Sequence, residues 1–170
     1  VDSDGNAYVA DTRNHTIRKI SAAGVATTIA GQAGVSGSTN GIGAAARFNS
    51  PEGVAVDGDG IVYVADTQNH TIRKIATDGT VSTVAGSPGA SGNVFGAGAS
   101  ARFNGPRSVT IGFEGFIYVA DGNHAIKSIS SDGTVGLVAG STSSPGTSGF
   151  VDATGNAARF SNPWKIATDQ

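Results

Sequence analysis

Three aspartates, three histidines and three arginines recur at matched places, and these are the side chains most able to do chemistry. Asp11, Asp66 and Asp121 are spaced 55 residues apart, and each is soon followed by a histidine, His15, His70 or His124. Imidazole is a common metal ligand and titrates near neutral pH. Ligation needs several side chains within about 2 Å of one ion. One histidine per repeat, each on a turn set outward from any common axis, predicts separate side chains with a packing role. Arg47, Arg102 and Arg159 each stand in the tripeptide Ala-Arg-Phe, on long loops that end where the Asp-bearing turns lie. A repeated ion pair between those loops and the turn aspartates is the expectation, ahead of anion binding. Asp2-Ser3-Asp4-Gly5 and Asp57-Gly58-Asp59-Gly60 share the opening spacing of a calcium loop. No Glu follows at the required distance and the third copy reads Gly112-Phe113-Glu114-Gly115, so tight hairpin turns are expected instead. No Ser-His-Asp set, metal cluster or phosphate loop stands above the repeat. The expectation is therefore no catalytic residue, no metal, no cofactor and no enzymatic activity.

The elements that carry these residues follow from the middle copy. Val54-Ala55-Val56 is a short apolar run behind Pro51, and Asp57 to Gly60 turns the chain. Ile61-Val62-Tyr63-Val64-Ala65 is β-branched and aromatic, and so is expected as strand. Asp66 to Asn69 reverses it, with Asp and Asn able to bond their own backbone. Thr71 to Ile75 is a third strand, Asp78-Gly79 the next hairpin signal, and Val81 to Ala85 a fourth strand closed by Gly86. A Gly/Ser-rich loop leads to Ala101-Arg102-Phe103 and the cycle restarts. The expected fold is all-β, with four short antiparallel strands per repeat, as in the blades of a β-propeller. A β-sandwich is the weaker alternative, because it does not require near-identical copies.

Arg-Phe-x-x-Pro, an apolar strand, Tyr-Val-Ala-Asp, Asn-His and Ile-Arg-Lys-Ile together resemble the NHL repeat, over essentially the whole chain. Asn-His is followed by Thr16 in the first copy, by Thr71 in the second and by Ala125 in the third, where the family name has Leu. The resemblance implies propeller blades, commonly six to a ring, that serve mostly as binding platforms. It also implies two other uses seen among similar propellers, lyases with a metal at the channel and RNA binding in translational regulators.

The register divides the chain into repeats at about 1–49, 50–104 and 105–161, with a closing first strand at 162–170 that matches the start of the second repeat. That is one domain of about three blades, whereas closed propellers have four to eight. Two chains are expected to join as a two-fold dimer of six blades, each segment Trp164 to Thr168 completing the blade that begins at the other chain's Tyr8. The alternative is an excerpt of a longer propeller or an engineered set of copied blades. Between Tyr8 and Ile20 and between Tyr63 and Ile75 only Arg13 and Gln68 differ, as in recent amplification or design.

Residues that depart from the repeat are the better pointers to a specific ligand. After the loop proline, at the mouth of the innermost strand, the chain places Glu52, then Arg107, then Trp164 followed by Lys165. With Arg47, Arg102 and Arg159 these form the expected binding face, on the side where loops are long. Trp164 fits two roles there, a binding anchor or packing between blades. The third Asp-to-His turn is one residue shorter than the others and the last long loop three residues longer. The net charge is −2 and Arg18-Lys19 and Arg73-Lys74 are spread one pair per blade, so no nucleic-acid partner is expected. A protein or peptide ligand is the expected partner. There is no Cys and no apolar run long enough to span a membrane. The low-charge, Gly/Ser/Thr-rich composition leans toward an exported or cell-surface bacterial protein.

Overall fold

In the computed structural model, residues 1–169 are described, and the last residue of the expected closing strand, Gln170, lies outside them. The strands are grouped in three antiparallel sheets. The first holds β1 (Ala7–Asp11), β2 (Thr16–Ile20) and β3 (Ala26–Ala30). The second holds β4 (Gly41–Ile42), β5 (Gly53–Val56), β6 (Val62–Asp66), β7 (Thr71–Ile75) and β8 (Thr80–Gly86). The third holds β9 (Ser108–Ile111), β10 (Ile117–Asp121), β11 (Ala125–Ile129) and β12 (Val135–Gly140). β5 to β8 and β9 to β12 pair consecutively as simple meanders, and the Tyr-Val-Ala-Asp strand is always paired with the one that follows.

Two features differ from the four-strand expectation. Part of the first long loop is itself a strand, because β4 pairs with the outer strand of the next sheet, Gly41 opposite Val81. A single bridge between Gly96 and Val135 repeats this one sheet further on. The loops thus tie the outer strands of the second and third sheets to the loop arriving from the sheet before. The other difference is that residues 162–169 form no ladder. The segment runs beside β9 through side chains, with the Ile166 N–H donating to Ser108 Oγ (3.3 Å) and Thr168 Oγ1 donating to the Ile111 carbonyl (2.7 Å). A ladder needs a free strand edge in register. The edge that matches this segment is that of β1, in the first sheet, which pairs only with β2.

The core lies between sheets rather than within one. Ile17, Ala30, Phe48, Val64 and Val81 close the gap between the first and second sheets. Ile72, Ala85, Phe103, Val119 and Val135 close the gap between the second and third. Phe48 and Phe103, from the Ala-Arg-Phe tripeptides, are fully buried wedges, each burying apolar area that stabilises by about 1.5–3 kcal/mol. Their counterpart Phe160 is only half-buried. No described helix is long and apolar enough to cross a membrane.

Candidate functional site

The repeated turn is built first. After β1, β6 and β10 the chain takes one tight turn, and the histidine that ends it is left-handed, with φ of 58° at His15, 58° at His70 and 63° at His124. That conformation costs an L-residue about 1–2 kcal/mol, and each ring returns a tertiary bond. His15 Nδ1 accepts from the Ser50 N–H (3.0 Å), His70 Nδ1 from the Gly105 N–H (3.0 Å) and His124 Nδ1 from the Asn162 N–H (2.9 Å). The three rings are therefore occupied as acceptors in separate places, in line with the packing role expected of them. Burial pushes the His70 imidazole below its ordinary value, partly opposed by the charge of Asp121.

The amide one residue earlier serves the neighbouring sheet. Asn49 N–H donates to Asp66 Oδ1 (2.7 Å), and Asn104 N–H donates to Asp121 Oδ1 (2.8 Å). Residues 49–50 and 104–105 are thus clips. Each pair of successive amides holds the histidine of one sheet and the aspartate of the next.

The expected ion pair between the loop arginines and these aspartates does not form. Arg47 donates to the Ala44 and Ala46 carbonyls and to Gln32 Oε1. Arg102 holds the Ala99 and Ala101 carbonyls, and Arg159 those of Asn156 and Ala158. Each guanidinium closes its own loop, because carbonyls left unpaired by the short turn before it lie nearer than any carboxylate. The aspartates pair instead with the cation of the following strand. Arg73 Nη1 lies 2.9 Å from Asp66 Oδ2 and Lys127 Nζ 2.8 Å from Asp121 Oδ2, with both pairs fully buried. In the first sheet Arg18 and Asp11 stand 3.6 Å apart and partly open to solvent. Burial pushes the Asp66 carboxyl up, opposed by bonds from Asn69 and Asn49 and by Arg73. It pushes the Lys127 amine down, opposed by Asp121. Sequence reasoning missed these pairs by treating Arg18 and Arg73 as surface charge. The signal was present, since the third copy changes Arg to Lys and keeps the charge although its turn is one residue shorter.

At the tight-turn end, Asp2 accepts from the amides of Asp4 and Asn6, and from the Tyr8 hydroxyl (2.9 Å). Asp57 accepts from the amides of Asp59 and Ile61. These carboxylates are spent on their own hairpins. Among the described residues no three His, Asp or Glu side chains are grouped as a metal site.

The non-repeating residues do come together. Glu52 and Arg107 stand 4.0 Å apart, and the Arg107 guanidinium stacks on the Trp164 ring, 3.9 Å from its centroid. They lie in one row along an open cavity of about 510 Å³ walled by β5, β9 and the segment Trp164 to Thr168, with Lys165 beside them. Glu52 Oε2 and Arg107 Nε are buried there without a hydrogen-bond partner. Trp164 remains 54% exposed. The row joins a carboxylate, a guanidinium and an aromatic face, which bind by charge, by directed hydrogen bonds and by stacking. Arg47, Arg102 and Arg159 lie apart from it, on their loops.

Antiparallel sheets linked through their outer strands, packed face to face and with innermost strands lining one cavity, define a β-propeller type of repeat protein. Residues 48–75 match the family model for the NHL repeat. NHL repeat-containing protein 2 of Gallus gallus is 45% identical over 89 residues, which is 51% of this chain and 12% of that protein. A solved protein of unknown function from Bacteroides thetaiotaomicron is 28% identical, with a TM-score of 0.65 over 78% of this chain and 32% of the other. An auxiliary nutrient binding protein from Bacteroides ovatus has a TM-score of 0.69 at 21% identity, over 97% of this chain and 40% of its own. This chain therefore spans about an eighth of the curated relative and well under half of either solved chain.

Proposed function

We propose that the chain is a non-enzymatic binding scaffold, three blades of a six-bladed ring completed by a second copy, which presents its loop-rich face and channel mouth to a protein or peptide. The observation that carries this reading is the row Glu52, Arg107 and Trp164. The repeated histidines and loop arginines are occupied in holding turns and loops, whereas these three depart from the repeat and line an open cavity. The unpaired edge of β1 and the unpaired segment at Trp164 to Thr168 support completion by another copy, since each has the sequence of the other's missing neighbour. A two-fold arrangement would set two such rows around one channel.

Light scattering tests the ring and is expected to give twice the 16.8 kDa chain mass. A single-chain mass at all concentrations overturns it. Panning a display library of unstructured peptides on the immobilised protein tests the binding face. Selected peptides are expected to change Trp164 emission and to lose binding when Glu52 and Arg107 are both replaced by Ala. Peptides that bind the doubly substituted protein equally well overturn the assignment of the face.

A further inference from the structure

The repeat makes one set of contacts between neighbouring sheets twice within the chain, and the third set is half made. Its missing halves lie at opposite ends of the same molecule. At residues 161–162 the Asn162 N–H holds His124 as the pattern requires. Ser161 N–H, which stands where Asn49 and Asn104 serve an aspartate of the next sheet, has no acceptor among the described residues. The aspartate in the matching place is Asp11. Its carboxylate oxygens accept only from Asn14, at 3.0 Å each.

A second contact follows the same rule and carries charge. The residue seven before each loop arginine reaches the strand cation of the next sheet. Asn40 Oδ1 accepts from Arg73 Nη2 (2.6 Å), and the ring of Phe95 faces the Lys127 ammonium, 5.2 Å from its centroid. The third residue of this series is Asp152. Its register is the same, since the Arg159 N–H donates to the Val151 carbonyl (3.1 Å) as the Arg102 N–H does to that of Val94 (3.0 Å). Asp152 is exposed and has no cation beside it among the described residues. The unmatched cation of the series is Arg18, whose side chain is 40% exposed. Half-buried Phe160 stands at the same end, where Phe48 and Phe103 are covered by the sheet that follows.

We propose that Asp152 of one copy pairs with Arg18 of a second copy, and that this charge pair selects another copy of this chain as the partner for the open end faces. The proposal rests on the two-chain ring above. The covering surface must offer an aspartate to the Ser161 amide, a cation to Asp152 and a strand edge to Trp164 to Thr168. The first sheet of the same chain offers all three in the required order. Within the chain the neutral Asn40 and the aromatic Phe95 hold this place, so the carboxylate is confined to the contact between copies. A closed two-fold ring would contain the pair twice.

The experiment is sedimentation of the whole chain with single substitutions. Asp152→Lys sets like charges together at both contacts. It is expected to raise the dimer dissociation constant about tenfold or more, in the range measured for close interfacial charge pairs. Asp59→Lys, the same charge change on an exposed turn at the other end of the sheets, is expected to leave the constant within about twofold. Because Asp152 is exposed, circular dichroism and thermal unfolding of the separated chain should match the parent. Asp152→Asn is expected to have a smaller effect in an Arg18→Met background than alone, as for a coupled pair. A parent that never dimerises overturns the ring and this pair with it. A parent that dimerises but ignores Asp152→Lys overturns the pair and leaves the ring standing.

Discussion

Asp66 and Arg73 meet inside the second sheet at 2.9 Å, with neither side chain open to solvent. Arg73 also donates to the Arg47 and Thr39 carbonyls and to Asn40, so one guanidinium gathers the turn, the strand and the incoming loop. Removing either partner leaves a buried charge alone, which costs about 3–5 kcal/mol. Asp66→Asn and Arg73→Met should each lower stability by that amount in urea unfolding. Arg73→Lys should cost less, since Lys127 fills the same place in the third sheet. The half-exposed pair Asp11–Arg18 should be worth under about 1 kcal/mol in the separate chain. Equal losses at the two pairs would contradict this account.

Gly86 closes β8 at φ +90°, and a Cβ there would lie 2.5 Å from the His70 carbonyl oxygen and 3.0 Å from Thr71 Cα. Gly89 has φ +75° but open space around it. Gly89→Ala should therefore cost only the left-handed backbone, about 1–2 kcal/mol. Gly86→Ala adds a clash with backbone on a neighbouring strand and should cost clearly more. Thermal unfolding of both variants distinguishes them, and indistinguishable midpoints would count against the close approach.

His70 supplies a pH dependence whose sign is fixed by its bond. Its Nδ1 accepts from the Gly105 N–H, so the folded chain favours the neutral ring, and burial depresses its affinity for a proton. With the folded value below the unfolded one of about 6.5, the unfolded chain binds the proton first. Stability should be fully present above about pH 6.5 and decline as pH falls through the window between the two values. Denaturant midpoints at pH values of about 7.5 and about 5.5, on either side of that unfolded value, should differ, and His70→Asn, which tolerates the left-handed backbone, should narrow the difference. A gap of the same size in that variant would mean that another group is responsible.

Trp164 is the sole tryptophan, so its fluorescence reports on one place. With Arg107 stacked on one face of the ring and Trp164 54% exposed as a residue, Arg107→Ala should shift emission to the red and increase quenching by acrylamide. Unchanged emission would show that the stack does not persist in solution.

The strand plan was legible because its signals are local. Ile61-Val62-Tyr63-Val64-Ala65 is β-branched and aromatic, and Asp78-Gly79 turns the chain whatever surrounds it. The packing role of the histidines was legible too, because copies spread around an axis cannot converge on one ion. What sequence left hidden depends on which of several nearby groups wins. Arg47 has both carbonyls and a carboxylate within plausible reach, and only the folded chain shows the loop carbonyls closer. Arg73 has the composition of a surface strand residue, and its burial depends on Asp66 across the hairpin and on Asn40 of the incoming loop, which lies near it only after the chain folds back on the next sheet. The row of Glu52, Arg107 and Trp164 was expected from its departure from the repeat. Its stacking order required the cavity to be seen.

The clips at residues 49–50 and 104–105 also bear on how such a chain could lengthen in evolution. Each clip belongs to two neighbouring blades at once, so a duplicated segment keeps its bonds whenever its length is one full repeat, wherever in the repeat the copy starts. A gene can therefore be cut in the middle of a blade and extended without leaving a torn contact at the seam. Shorter insertions find a place in the stretch between the outer strand and the loop arginine, where the third copy already carries its three additional residues.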